Sequence, residues 1–169
     1  MKTHRLLSAS LLVCLTLLIS GCGYELVREK GIYGGKIMSL NLPVFKNRSL
    51  EPQVPGFFTE AFSMELAASG LVQINTAGAD ATLQGTIVSV TTGPGALSAA
   101  GQSVQKTVTA VISLTLTKED KVVKTWTFGD AEVYDASIIN LEDFNKRAAL
   151  QRIAGRMARR FHAQLLSVQ

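Results

Sequence analysis

The residues with the clearest chemistry are Ile19-Ser20-Gly21-Cys22, an aliphatic residue, two small ones and a thiol. This is the lipobox pattern, in which the cysteine thiol is the nucleophile that takes a diacylglycerol. After cleavage the new amino group of Cys22 is acylated as well, so the mature chain begins at a lipidated residue. Several acyl chains on one residue exceed the two signals that stable anchoring takes, each buried methylene contributing about 0.8 kcal/mol. Gly23 follows, and in the lipobox pattern a residue other than aspartate there favours sorting to the outer membrane.

The segment before the thiol fits this reading. Lys2, His4 and Arg5 make a short basic start, and Leu6 to Ile19 carries no charge. That run is shorter than the roughly 20 residues of a membrane-spanning helix and ends at small residues suited to a peptidase, which marks a cleaved signal peptide over residues 1–21. The other cysteine, Cys14, lies inside the run, so the mature chain has no disulfide.

Other chemistry is sparse. After Cys22 the only histidine is His162 at the end of an arginine-rich helix, where it reads as a surface residue. There is no glycine-rich phosphate loop and no metal-ligand spacing. Nothing in the spacing of Asp80, Glu132 and Asp135 demands that these carboxylates converge. No enzymatic activity, metal or cofactor is expected. Removal of 21 of the 169 residues takes away Lys2 and Arg5, leaving 15 of 17 basic side chains against 13 acidic ones. This near balance gives no argument for nucleic acid, and 148 residues suffice for one domain.

Residues 22–35 read as a lipidated tether and 36–169 as the domain. In Lys36 to Phe45, Met38, Leu40, Leu42 and Val44 alternate as a strand restricted by Pro43. From about Pro55 to Ser69, Phe58, Ala61, Phe62 and Leu66 recur at helical spacing and Gly70 stops the helix. This stripe reads as core. Ala81, Leu83, Gly85 and Ile87 share one face of a second strand over Asp80 to Val90. The uncharged Thr91 to Ser103, with three glycines and a proline, reads as a mobile loop.

The clearest strand is Gln105 to Thr117, with Val108, Ala110, Ile112, Leu114 and Leu116 on one face and hydroxyls on the other. Lys118-Glu119-Asp120-Lys121 turns it into a strand from Val122 to about Tyr134, with Trp126 and Phe128 on one face and Thr125 and Thr127 opposite. Asn140 with Asp143 suggests the capped start of a long helix, buried along Leu150, Ile153, Met157, Phe161 and Leu165. Its row Arg152, Arg156, Arg159 and Arg160 reads as a soluble helix face, or alternatively as a patch for an acidic partner or phosphate. The sum is an α+β two-layer sandwich, β-α-β-β-β-α, in which two helices cover one face of a four-stranded mixed sheet. The other face, rich in threonine, is left for solvent or a partner.

Several stretches together carry a resemblance: Cys22-Gly23-Tyr24-Glu25-Leu26, then Leu42-Pro43-Val44-Phe45-Lys46-Asn47-Arg48-Ser49-Leu50-Glu51-Pro52, then Ala79-Asp80-Ala81-Thr82-Leu83-Gln84-Gly85-Thr86-Ile87, and the C-terminal amphipathic helix. In this order they resemble the LptE family of lipopolysaccharide-assembly lipoproteins over nearly the whole mature chain. The resemblance implies a lipid-anchored protein on the periplasmic side of the outer membrane of a Gram-negative bacterium. It implies a plug of the LptD β-barrel that aids barrel assembly and delivery of lipopolysaccharide, acting by binding. Phosphates of lipopolysaccharide call for lysine or arginine. The family is thought to use basic residues near the sheet and the loop after its second strand, yet Thr91 to Ser103 carries none. Lys106 and Lys124 are the remaining candidates, with solvated strand-end lysines as the alternative. The "LPVFKN" strand end also resembles CsgG- and LpoB-like lipoproteins of secretion or peptidoglycan synthase activation, but so short a tether cannot cross the periplasm.

Overall fold

The structure, a computed structural model, describes residues 31–97 and 104–167. The signal peptide, Cys22 and most of the tether lie outside these residues. Six strands and two helices follow one another as β1 (Ser39–Asn41), β2 (Lys46–Asn47), α1 (Val54–Ser69), β3 (Gln73–Ile74), β4 (Ala81–Pro94), β5 (Gln105–Lys118), β6 (Lys121–Asp135) and α2 (Ile139–Leu166).

The three long strands follow from strict period-two patterns. Val108, Ala110, Ile112, Leu114 and Leu116 of β5 are all buried, and the residues between them are half exposed. β4, β5 and β6 form an antiparallel meander. Glu119 and Asp120 take left-handed conformations, φ 48° and 59°, and turn β5 tightly into β6. The turn end of the meander is called here the lower end, and the Pro94–Gln105–Asp135 end the upper.

The sheet is mixed, as expected, but it has six strands in the order β3-β1-β4-β5-β6, not four, with β2 also paired to β4. The extra strands come from two places. Leu71 to Ile74, read as a mere apolar piece, supplies β3, parallel to β1. The expected strand Lys36 to Phe45 is interrupted into β1 and β2, both parallel to β4. Leu40 pairs with Ala81 and Lys46 with Thr86, so six residues on this side span five on β4. The surplus residue around Pro43 flips the alternation: Leu40 and Phe45 are buried while Met38 and Val44 are exposed. The Phe45 ring then lies directly over Gly85, where a Cβ would come within 2.4 Å of it, and only glycine admits that approach.

β4 also continues four residues past its expected end. A bulge between Ile87 and Ser89 shifts the register, and Thr91 to Pro94 pair with Thr109 to Lys106. The first part of the expected loop is therefore strand; residues 98–103 lie outside the described residues. The folded domain also begins before residue 36. Ile32 is fully buried, bridged to Ile37, and Gly31 N–H donates to Leu71 O at 2.7 Å. Residues 31–35 thus pack with the domain at its lower end, inside the span read as tether.

Both helices lie on one face of the sheet. α1 buries Val54, Phe58, Phe62 and Leu66, and Gly70 ends it in a left-handed conformation, φ 65°. α2 buries Leu150, Ile153, Met157, Phe161 and Leu165, as its stripe predicts. Phe161 is the hub, edge-on to Trp126 at 5.1 Å and to Phe128 at 6.3 Å, and 5.7 Å from Phe62. Such pairs add about 0.5–1.5 kcal/mol each beyond the area they bury. The expected cap at Asn140 does not form: the helix starts at Ile139 with no side-chain cap bond. Glu142, in its first turn, instead reaches β5.

Candidate functional site

Two regions stand apart from the core: the uncovered face of the meander and its upper end. On the uncovered face the outward residues align across strands as Gln84–Thr115–Thr125, Thr86–Ser113–Thr127 and Thr91–Thr109–Ala131. From Thr82 to Gly93 on β4, Thr107 to Thr117 on β5 and Thr125 to Val133 on β6, no outward position is charged. Hydroxyls at these positions can donate or accept without the desolvation cost of burying a charge. The surface suits a broad, hydrogen-bonding, uncharged contact. Nothing in it suits bond chemistry.

The upper end holds ion pairs. Lys106 Nζ is 2.7 Å from Glu142 Oε1, and the Tyr134 hydroxyl donates to the same oxygen at 3.4 Å. Lys146 Nζ is 2.8 Å from Glu51 Oε1, tying α2 to the segment before α1. The hydrogen bond from Lys106 holds the Glu142 carboxyl below its ordinary range. Burial first, and then the charge of Glu142, raise the Tyr134 phenol above its usual value. A cavity opens among Thr92, Pro94, Lys106, Tyr134, Glu142 and Lys146. Near these residues in the chain, Leu97, Ile138, Ile139 and Phe144 are exposed, Phe144 at 69%.

The two lysines singled out by the sequence are not brought together. Lys106 pairs in register with Tyr134, whereas Lys124 lies ten residues back along β6, roughly 33 Å away at strand spacing. Lys124 is exposed at the lower end, its Nζ 5.3 Å from the centre of the Trp126 ring. Both lie on the helix-covered side of the sheet, not on the hydroxyl face. The pattern carried this information, since Lys106 shares parity with Val108 and Lys124 with Trp126. Lys146 and Tyr134, which complete the upper cavity, escaped the sequence reading because only the fold sets α2 against β5.

The carboxylates serve structure. Asp80 Oδ2 accepts from the amides of Met38 and Ser39 at 2.8 and 2.9 Å and from Ser39 Oγ at 3.0 Å, clasping β1 to β4. These bonds, led by the Met38 amide, lower its pKa. Asp135 accepts from Ser137. Glu132 binds Arg152 and Arg156 at 2.8 and 2.7 Å, and Asp130 binds Arg156 at 2.9 Å. Arg156 and Arg160 also donate to the carbonyls of Ala131 and Gly129, covering the free edge of β6. Much of the arginine row is thus held against β6. His162 is half-buried and not a bare surface residue: its Nδ1 meets Glu65 of α1 at 2.9 Å.

Among the described residues no three His, Cys, Asp or Glu side chains could share a metal ion, and no helix is long and apolar enough to cross a membrane.

Three solved structures of similar fold are described as lipoproteins. Rare lipoprotein B from Shewanella oneidensis superposes with a TM-score of 0.52 at 12% identity over 76% of this chain and 94% of that one. A minor lipoprotein from Acinetobacter baumannii gives 0.52 at 15% identity over 77% and 90%, and a Caulobacter crescentus protein described as lipoprotein-like 0.51 at 14% over 73% and 88%. At these identities the likeness is one of fold. No curated protein matches the sequence. The model of the LptE family, described as lipopolysaccharide-assembly, matches residues 37–165, from the buried Ile37 ahead of β1 to the buried Leu165 near the end of α2. Most of the chain is covered, and the chain belongs to the LptE family of non-enzymatic lipopolysaccharide-assembly proteins.

Proposed function

We propose that this chain is anchored through lipidated Cys22 in the outer membrane, on its periplasmic side, and plugs an LptD-type β-barrel, helping to assemble it and to pass lipopolysaccharide to the outer leaflet. The observation that carries this reading is the uncharged hydroxyl face of β4, β5 and β6, which runs along most of two strands of 14 residues each. A hydrated barrel wall is polar and wet, and a face of hydroxyls can exchange water for wall groups without stranding a buried charge. The Cys22 lipid would hold the domain beside its barrel and raise its effective concentration there. Family membership supports the same partner and cargo.

Of the two candidate lysines, Lys106 is the one we assign to lipopolysaccharide. It shares a cavity with Lys146, and exposed apolar side chains such as Phe144 lie close by in the chain, so phosphate and acyl groups could be met together. Lys124 lacks such company.

The test is to purify the intact lipoprotein from its own outer membranes in mild detergent and identify what accompanies it. A stoichiometric large β-barrel is expected. A peptidoglycan synthase, or stable rings of the lipoprotein alone, would move the case to a CsgG- or LpoB-like role. Lys106→Glu should weaken binding of purified lipopolysaccharide and Lys124→Glu should not; unchanged binding in both would remove lysine from the site.

A further inference from the structure

An unpaired strand offers a row of amides and carbonyls to any extended chain, so a sheet has to dispose of its edges. This sheet does so at both ends. β3, at one end, is two residues long. β6, at the other, carries Lys121 and Lys124 on its lower half, and on its upper half Arg156 and Arg160 donate to the carbonyls of Ala131 and Gly129. β4 is different. Its lower part pairs with β1 at Ala81 and Thr82 and with β2 at Thr86 and Ile87, and the Arg48 amide makes the last bond, 2.9 Å to Ile87 O. The bulge follows at once, and from Val88 to Pro94 no described strand pairs with β4 except β5. The ladder fixes which groups are left over. Gly95 N–H donates across to Gln105 O at 2.9 Å, so by alternation the amides and carbonyls of Val90 and Thr92 point to the open side. No charge guards them: Val88-Ser89-Val90-Thr91-Thr92-Gly93-Pro94 is neutral throughout, and its only proline is the last residue. Val88 is 42% exposed, Leu50, two residues past Arg48, is fully exposed, and a Cβ on Gly93 would meet nothing.

We propose that this open edge takes an extended, uncharged segment of the barrel protein as an added strand. The proposal rests on the plug reading above and names the part of the barrel involved. That part is a loop or chain end that enters the lumen, since a closed barrel leaves no wall strand with a free edge. The edge is continuous with the hydroxyl face, because Ser89, Thr91 and Gly93 point to that face while Val90 and Thr92 present their backbone beside it. An added strand widens the same contact by one row, and its side chains on that side should be as free of charge as those of β4. A second copy of the domain fits less well. At strand spacing Val88 to Pro94 makes an edge of roughly 23 Å. One strand pair of that length falls short of the 1,200 Å² or so that stable interfaces bury. A segment already held in the lumen needs no such area, because its effective concentration at the edge is high.

The full-length lipoprotein, co-expressed with its barrel, tests this. A photoreactive amino acid in place of Ser89, Thr91 and Gly93 in turn should give adducts to one luminal segment of the barrel. The linked residue should move two places along that segment at each step, as a ladder requires. Val90→Pro removes one open-side amide and puts a ring in its place. It should lower barrel recovery about tenfold, the equivalent of one or two hydrogen bonds, and by more than Val90→Ala, which keeps the amide and gives up more of the side chain. Should Val90→Pro fail to fold, the adduct series decides alone. Adducts that fall on wall strands or do not step, with barrel recovery intact in Val90→Pro, would overturn the edge contact while sparing the plug reading. Adducts between two copies of the lipoprotein would overturn it in favour of self-pairing. No barrel with the wild type would overturn both.

Discussion

Alternate residues of the same three strands meet opposite fates. On the inward side, Ile112, Leu114, Trp126 and Phe128 pack against two helices, and even the charges there, Asp130 and Glu132, are claimed by arginines of α2. On the outward side their neighbours Ser113, Thr115, Thr125 and Thr127 are uncharged, and no described helix or strand lies over them. The inward side holds the domain together, while the outward side contributes little to stability and is free to specify a partner. A change inward should therefore cost folding, and a change outward should cost assembly.

The largest effect is expected from Phe62→Ala. This ring is fully buried between Phe45 and Phe161, and its loss should cost about 3–5 kcal/mol in denaturant unfolding. Next comes Gly85→Ala, where the added methyl meets the Phe45 ring. It should cost about 1–3 kcal/mol despite alanine's better backbone, and Phe45→Leu in the same chain should recover part of the loss. A stability unchanged by Gly85→Ala would break the assignment of an inward face to β4 at this point.

Outward charges sharpen the contrast. Thr115→Lys with Thr127→Lys should change unfolding by no more than about 1 kcal/mol and yet sharply reduce recovery of the barrel, because the lysines would have to be desolvated against an uncharged wall. The smallest effect concerns pH. Glu132 is held below its ordinary pKa chiefly by the Arg152 hydrogen bond, and Glu142 by that from Lys106. Burial alone would raise Asp130, but Arg156, the Ala131 amide and Arg160 outweigh it. With folded values below unfolded ones, the stability these groups add is present above the ordinary carboxylate range and is lost as pH falls through that range to the lowered values. Arg156→Gln should flatten that acid slope while costing less than about 1 kcal/mol at pH 7, read from unfolding midpoints across pH.

The parts legible in the sequence were those that repeat. β5 has five inward positions at period two, and α2 a stripe sustained over four turns, so each declares its own face. The short strands carry no such signal. β1 and β3 have three and two residues, and they exist because β4 and β1 offer edges to pair with. Thr91 to Pro94 reads as loop because it ends in Gly93-Pro94 and opens an uncharged, glycine-containing stretch, yet pairing with β5 and the bulge after Ile87 hold it in the sheet. The hydroxyl face was legible through Thr107, Thr109, Ser113 and Thr115. The use of the arginine row was not, because Asp130 and Glu132 come under α2 only once β6 is placed.

The central claim is that the outward face of the meander is the face that meets the barrel. Its most direct test is a photoreactive amino acid at position 115, in the middle of that face, irradiated in living cells with the lipoprotein otherwise intact. One dominant adduct is expected, of the mass of the lipoprotein joined to a large outer-membrane β-barrel, and none from the same probe at the buried position 114. No barrel adduct from position 115, or adducts only between copies of the lipoprotein, would contradict it.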